Sequence, residues 1–220
     1  MPELFHIKIC GITSSPDAKV VVDSGADAVG INFFPESKRF VEPATAKRIS
    51  ATIPNSVAKV GLFVNADTDW IETVSQEIGL DWIQLHGDES PEFICQLRNR
   101  PLLKAFRLGQ AGLRPVAQFL AECEQLGRPL DALLLDAYHP TEFGGTGRKI
   151  DWQKLAKETT LLGGYQWALA GGLTPTNVAD AIKQARPHAV DTASGVESAP
   201  GKKDSDLARS FVEQARLALE

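Results

Sequence analysis

Short apolar, β-branched runs alternate with helix-length stretches from one end of the chain to the other, and this alternation constrains the fold more than any other feature. The runs cover 5–12, 26–33, 57–64, 81–87, 102–108, 130–137, 165–172 and 188–195. Helical candidates follow them at 17–23, 44–50, 70–77, 91–98, 116–124, 152–157, 176–185 and 206–219. Strands that alternate with helices pair in parallel, and eight such units in a chain of 220 residues are expected to close on themselves. The expected fold is α/β, a single (β/α)8 TIM barrel occupying 1–220 as one catalytic domain. An open, doubly wound sheet is the alternative. Pro16, Pro43, Pro91, Pro115 and Pro175 sit near the expected helix starts, where a missing N–H costs little.

Composition narrows the function. Apolar residues make up 43% and charged residues 23% of the chain, enough for a sizeable core and far from a disordered composition. The net charge of −5 argues against a nucleic-acid partner, which would require clustered Lys and Arg to displace phosphate counterions. Small anions need only local charge and stay open. The N-terminus has no basic segment leading into a long apolar run, and no later stretch is apolar for long enough to cross a bilayer. A cytoplasmic enzyme with no membrane partner is expected, and with no conspicuous apolar patch in the pattern, a monomer. Cys10, Cys95 and Cys123 are irregularly spaced and form no C-x-x-C pair, which fits a reduced compartment. His6, His86, His139 and His188 lack the short spacings of metal ligands, so no metal is expected.

In a barrel of this kind, active-site groups sit at the C-terminal ends of the strands. Strands 7 and 8 end in Gly171-Gly172 and Ser194-Gly195, where backbone N–H groups can approach a phosphate closely. Asp136 closes strand 6 and shares a face with Ala132 and Leu134, a placement suited to a general acid; the plainer reading is a carboxylate that caps a turn. Cys10 closes strand 1 on the same face as Lys8 and suits a base or nucleophile if the site favours thiolate; the plainer reading is a buried apolar cysteine. An unpaired ammonium inside a barrel is expensive, and strand 8 neighbours strand 1 in a closed sheet. A Lys8–Asp191 ion pair is therefore expected. Arg39, in the loop after strand 2, can grip a carboxylate through two parallel hydrogen bonds, or can simply be solvated. The longest connection, 138–149, carries Gly144, Gly145 and Gly147 and reads as a lid or as an ordinary loop.

Taken in order, the segments Lys8-Ile9-Cys10-Gly11-Ile12-Thr13, Phe34-Pro35-Glu36-Ser37-Lys38-Arg39, Val60-Gly61-Leu62-Phe63-Val64-Asn65 and Gln84-Leu85-His86-Gly87 resemble the phosphoribosylanthranilate isomerase family of tryptophan biosynthesis. So do Leu134-Leu135-Asp136, Gly171-Gly172-Leu173, Val190-Asp191 and Ser194-Gly195-Val196-Glu197, and together the segments span nearly the whole chain. The resemblance implies a barrel of the ribulose-phosphate-binding type. It implies an aldose–ketose isomerase that converts N-(5-phosphoribosyl)anthranilate into its carboxyphenylamino-deoxyribulose phosphate isomer by an Amadori rearrangement, without a cofactor. Within it, Asp136 matches the general acid and Cys10 the base. Arg39 matches the residue that holds the anthranilate carboxylate, and Gly171, Gly172, Ser194 and Gly195 fall in the phosphate-binding segments, with Asp191 also at the substrate site. Ala193 departs from the serine more often expected at that position.

Two other readings compete. A Schiff-base aldolase would use Lys104 in strand 5 as its nucleophile, and a non-catalytic sugar-phosphate binder would need the glycine segments but not both Cys10 and Asp136.

Overall fold

A computed structural model describes residues 4–97, 99–136 and 152–220. The expected Gly-rich loop at 138–149 lies outside the described residues, as does His139.

The eight strands close into a parallel barrel in sequence order. They are β1 (Ile7–Cys10), β2 (Ala28–Asn32), β3 (Ala58–Phe63), β4 (Trp82–Leu85), β5 (Leu102–Arg107), β6 (Ala132–Asp136), β7 (Trp167–Ala170) and β8 (Ala189–Thr192). The barrel shuts where β1 pairs with β8, Lys8 opposite Asp191. Helices α1 (Ser15–Asp23), α2 (Pro43–Ser50), α3 (Thr68–Ile78), α4 (Pro91–Ile94), α5 (Arg114–Gln125), α6 (Trp152–Glu158), α7 (Val178–Ala185) and α8 (Ser205–Leu219) lie between and after the strands. Prolines occupy the first turn of α1, α2, α4 and α5, and Ser14, Asp67, Ser90 and Asp204 cap α1, α3, α4 and α8 by accepting backbone N–H bonds.

The fourth helix is much shorter than the 91–98 expected. After Ile94 the bonds tighten to the i→i+3 type, Gln96 N–H to the Phe93 carbonyl and Leu97 N–H to that of Ile94, which winds the chain off before Pro101 leads into β5. The seventh begins two residues later than expected, because Asn177 folds its side chain back to accept the Thr174 N–H.

Strand alternation splits the apolar residues into two cores. The larger lies between sheet and helices. The smaller fills the barrel: Ala28, Val60, Trp82, Leu103, Ala105, Ala132, Leu134, Ala168, Ala170 and Ala189, with Leu4 and Phe5 closing the N-terminal mouth. Phe5 meets Trp82 edge to face at 6.0 Å. So many alanines on the inward face leave the volume that two large side chains, Trp82 and Lys8, occupy. Beyond strands 8 and β9 (Glu197–Ala199), a short hairpin with β10 (Lys202–Lys203) folds back toward the C-terminal mouth.

Candidate active site

The inward face of β1 carries Lys8 and then Cys10 at the C-terminal end, and Cys10 pairs in register with Gly30 of β2. A side chain at position 30 would run into the Cys10 sulfur and come within 3.0 Å of its Cα, so glycine there creates the space that the thiol occupies. Cys10 is 6% exposed.

The Lys8–Asp191 pair is present as expected, Nζ to Oδ1 at 2.9 Å, with the lysine side chain wholly buried. Burial opposes the ammonium charge, but Asp191 and Cys10 beside it outweigh that cost and raise the Lys8 amine above its ordinary range. Asp191, expected among the substrate-binding residues, thus spends one oxygen on Lys8.

Asp136 ends β6 on the inward face, opposite Ala170 in register, and its Oδ2 lies 3.7 Å from His86 Nε2. His86 closes β4, its N–H bonded to the Phe63 carbonyl. The structure therefore brings Cys10, Asp136, His86 and Asp191 to one end of the barrel.

At the ends of β7 and β8, Gly171 and Gly172 both take positive φ (98° and 66°), a conformation open to glycine at little cost, which turns the chain sharply over the barrel mouth. Residues Ser194–Val196 form a single 3₁₀ turn. Gly195 packs directly on the Leu173 carbonyl, and the Thr192 hydroxyl donates to that same carbonyl at 2.7 Å. The two segments named in the sequence are thus clasped side by side.

Arg39 arches over Gly11, where any Cβ would strike its Cδ. Its Nε and Nη2 donate to the two oxygens of Glu197, each at 2.7 Å. The same Glu197 accepts from Lys203 Nζ at 2.9 Å, and Lys203 also donates to the Ala193 carbonyl at 2.9 Å. Burial works against the Glu197 charge, but the bonds from Arg39 and Lys203 outweigh it and hold the carboxyl below its usual range. Sequence reasoning missed Glu197 and Lys203 as site residues. The signal was present in the segment Ser194–Glu197, but nothing in the spacing shows that the hairpin brings both side chains under Arg39.

Lys104 does not face the barrel interior. It lies on the opposite face of β5 from Leu103 and Ala105, and its Nζ is bonded to Glu89 Oε2 at 3.0 Å and to the Gly87 carbonyl at 2.8 Å. A lysine turned away from the site and locked in a buried pair cannot reach a substrate carbonyl there, which removes the aldolase candidate. Among the described residues, no group of three or more His, Cys, Asp or Glu side chains is placed to hold a metal ion, and no helix is long and apolar enough to cross a membrane.

Residues 7–214 match the family model described as N-(5'-phosphoribosyl)anthranilate (PRA) isomerase. An N-(5'-phosphoribosyl)anthranilate isomerase from Trichlorobacter lovleyi is 45% identical over 98% of this chain and 100% of its own length. Among solved structures, phosphoribosyl anthranilate isomerase from Thermotoga maritima is 39% identical with a TM-score of 0.84, covering 97% of this chain and 99% of its own. A phosphoribosyl anthranilate isomerase in complex with reduced 1-(o-carboxyphenylamino)-1-deoxyribulose 5-phosphate is 36% identical, with a TM-score of 0.81 over 97% of this chain and 99% of its own. With a family model covering nearly the whole chain and a close relative matched end to end, the chain belongs to the N-(5'-phosphoribosyl)anthranilate isomerase family.

Proposed function

We infer that the chain catalyses the isomerisation of N-(5'-phosphoribosyl)anthranilate in tryptophan biosynthesis, with Asp136 as general acid and Cys10 as general base. The observation that carries this reading is the placement of the two groups. Both end barrel strands on the inward face at one mouth, β1 and β6, with β7 and β8 between them. The clasped glycine segments lie beside them.

The chemistry follows from that arrangement. Protonated Asp136 gives its proton to the furanose ring oxygen, and the C1′–O bond opens as the anthranilate nitrogen forms a Schiff base. Cys10, as thiolate, removes the proton from C2′. The resulting enolamine becomes the ketose as C1′ gains a proton and the 2′-hydroxyl loses one. Each proton-transfer group contributes on the order of 10²–10⁴-fold. The phosphate rests on the backbone of Gly171, Gly172, Ser194 and Gly195, whose N–H donors serve without a hydroxyl at Ala193. Arg39 takes the anthranilate carboxylate on the edge of its guanidinium that Glu197 leaves open, since the guanidinium has five donors and two face Glu197. Asp191 faces the substrate from beneath with its second oxygen. A cytoplasmic monomer that works without cofactor completes the reading.

The test follows the fluorescence of freshly made phosphoribosylanthranilate with the wild-type enzyme and with Asp136→Asn. Rapid decay with wild type that the variant loses is expected. No catalysed decay by wild type would refute the activity, and equal decay by both would refute the acid.

A further inference from the structure

We propose that Gln84 is a substrate-binding residue, its side-chain amide set in the floor of the site to take a hydroxyl of the sugar. The inference rests on the reading of this mouth as the isomerase site and deepens it by naming what holds the middle of the substrate.

Trp82, Gln84 and His86 follow one another at a spacing of two residues along β4 and its end, and so share the inward face. Trp82 fills the barrel interior, and His86 comes within 3.7 Å of Asp136 at the mouth, which leaves Gln84 at the level between them. The strand registers fix that level. Because the strands tilt, the level of a layer climbs by one residue per strand relative to the paired residues. Gly30, Gln84, Leu134 and Asp191, from the even-numbered strands, therefore form one layer, directly beneath that of Cys10. β4 and β8 are four strands apart in either direction, so the two polar members of this layer, Gln84 and Asp191, lie on opposite sides of the barrel. Solvent reaches this depth, since Asp191 is 8% exposed.

Packing does not account for an amide here. Gln84 is 1% exposed, and its Oε1 has no hydrogen-bond partner among the described residues. A buried acceptor left unpaired costs free energy that a leucine or methionine at the same point would not. The residues that fill the barrel below it are apolar, and Lys8 is paired with Asp191. The unmet acceptor therefore points to a partner that arrives with the substrate. The chemistry of the substrate selects which part. Its phosphate needs only donors, which the backbone of the two glycine segments supplies, and its carboxylate falls to Arg39. Between them lies a ribose chain bearing hydroxyls. A hydroxyl both donates and accepts, so it satisfies the amide by whichever end it meets. A site that holds a hydroxyl through a buried polar group rejects a ligand that lacks it, because the group is then left unpaired.

The test uses isothermal titration calorimetry with two ligands of equal length: reduced 1-(o-carboxyphenylamino)-1-deoxyribulose 5-phosphate and its hydroxyl-free counterpart, 5-(2-carboxyphenylamino)pentyl phosphate. Each is titrated into wild type and into Gln84→Met. The variant is expected to bind the first ligand about tenfold more weakly and the second as wild type does. Without ligand it should melt about 2–4 °C above wild type, since it buries no unpaired acceptor. Gln84→Leu should behave in the same way, which separates loss of the amide from the packing of a thioether. Equal weakening for both ligands, or a lower melting temperature in both variants, would show an amide that serves the fold and would overturn the proposal. Unchanged binding of the hydroxylated ligand by a folded variant would overturn it as well. Wild type that binds neither ligand would refute the isomerase reading itself, a result distinct from any effect of the variants.

Discussion

At the scale of single residues, the site depends on what is absent as much as on what is present. The Cys10 thiol fits because position 30 has no side chain, and Gly30→Ala places a methyl group against both the sulfur and the β1 backbone. A rigid strand on either side leaves neither partner room to retreat. Gly30→Ala is therefore expected to reduce kcat by at least tenfold with KM little changed, as measured in steady-state assays of the folded protein. Cys10→Ala should cost about 10²–10⁴-fold in kcat, because it removes one proton-transfer group and a small volume near the mouth. A Cys10→Ala enzyme with near-normal turnover would sink the base assignment. Both positions were legible in the sequence, since strand period places Cys10 and Asp136 inward once the barrel is assumed. The neighbourhood of Asp136 was not: His86 comes from β4, and its 3.7 Å approach depends on how two strands curve past each other.

At the scale of elements, the β9–β10 hairpin supplies what no strand end could. Glu197 is shared between Arg39 in the loop after β2 and Lys203 on the returning strand, and Lys203 is in turn tied to the carbonyl of Ala193. The grip on the proposed carboxylate and the proposed phosphate segment are thereby joined through one buried side chain. Glu197→Gln should raise KM by roughly tenfold, the price of one disturbed charge-assisted contact, with a smaller change in kcat. In an Arg39→Ala background the same substitution should add little, because residues that act as a unit are not additive. Full additivity in that double-mutant cycle would show that Glu197 acts independently of Arg39. A second buried pair, Lys104–Glu89, clamps the loops after β3 and β4, with Glu89 accepting from the Asn65 and Gly87 amides. Lys104→Met leaves that carboxylate buried and unpaired, which costs about 3–5 kcal/mol. Calorimetry should show a fall in Tm of roughly 6–20 °C for a chain of this size, with kcat of the folded fraction retained.

At the scale of the whole molecule, the same pairs set how the protein responds to acid. Glu197 titrates below its ordinary value when folded, so its contribution to stability is present above the unfolded carboxylate pKa of about 4.3 and is lost as pH falls through the lower folded value. Melting temperature is expected to drop along an acid limb beginning below pH ~4–5, and Glu197→Gln should flatten part of that limb while leaving the neutral plateau lower. An acid limb identical in the two proteins would show that Glu197 is not held charged by Arg39 and Lys203.

Taken alone, the amino-acid sequence determined the order and type of the barrel elements, the inward faces of β1, β6 and β8 and the Lys8–Asp191 pair, because hydrophobic period and closure follow from local geometry and from the cost of burying a lone charge. It also carried the family, through motifs distributed over nearly the whole chain. Tertiary structure alone decided three matters. It turned Lys104 outward, where strand parity without a fixed register left the lysine available to a rival reading. It ended α4 after one turn, where apolar periodicity at 91–98 suggested more. And it occupied one edge of the Arg39 guanidinium with Glu197, a contact between residues 158 positions apart. Such contacts follow from where a hairpin lands on a closed barrel, and no local pattern of residue types records that.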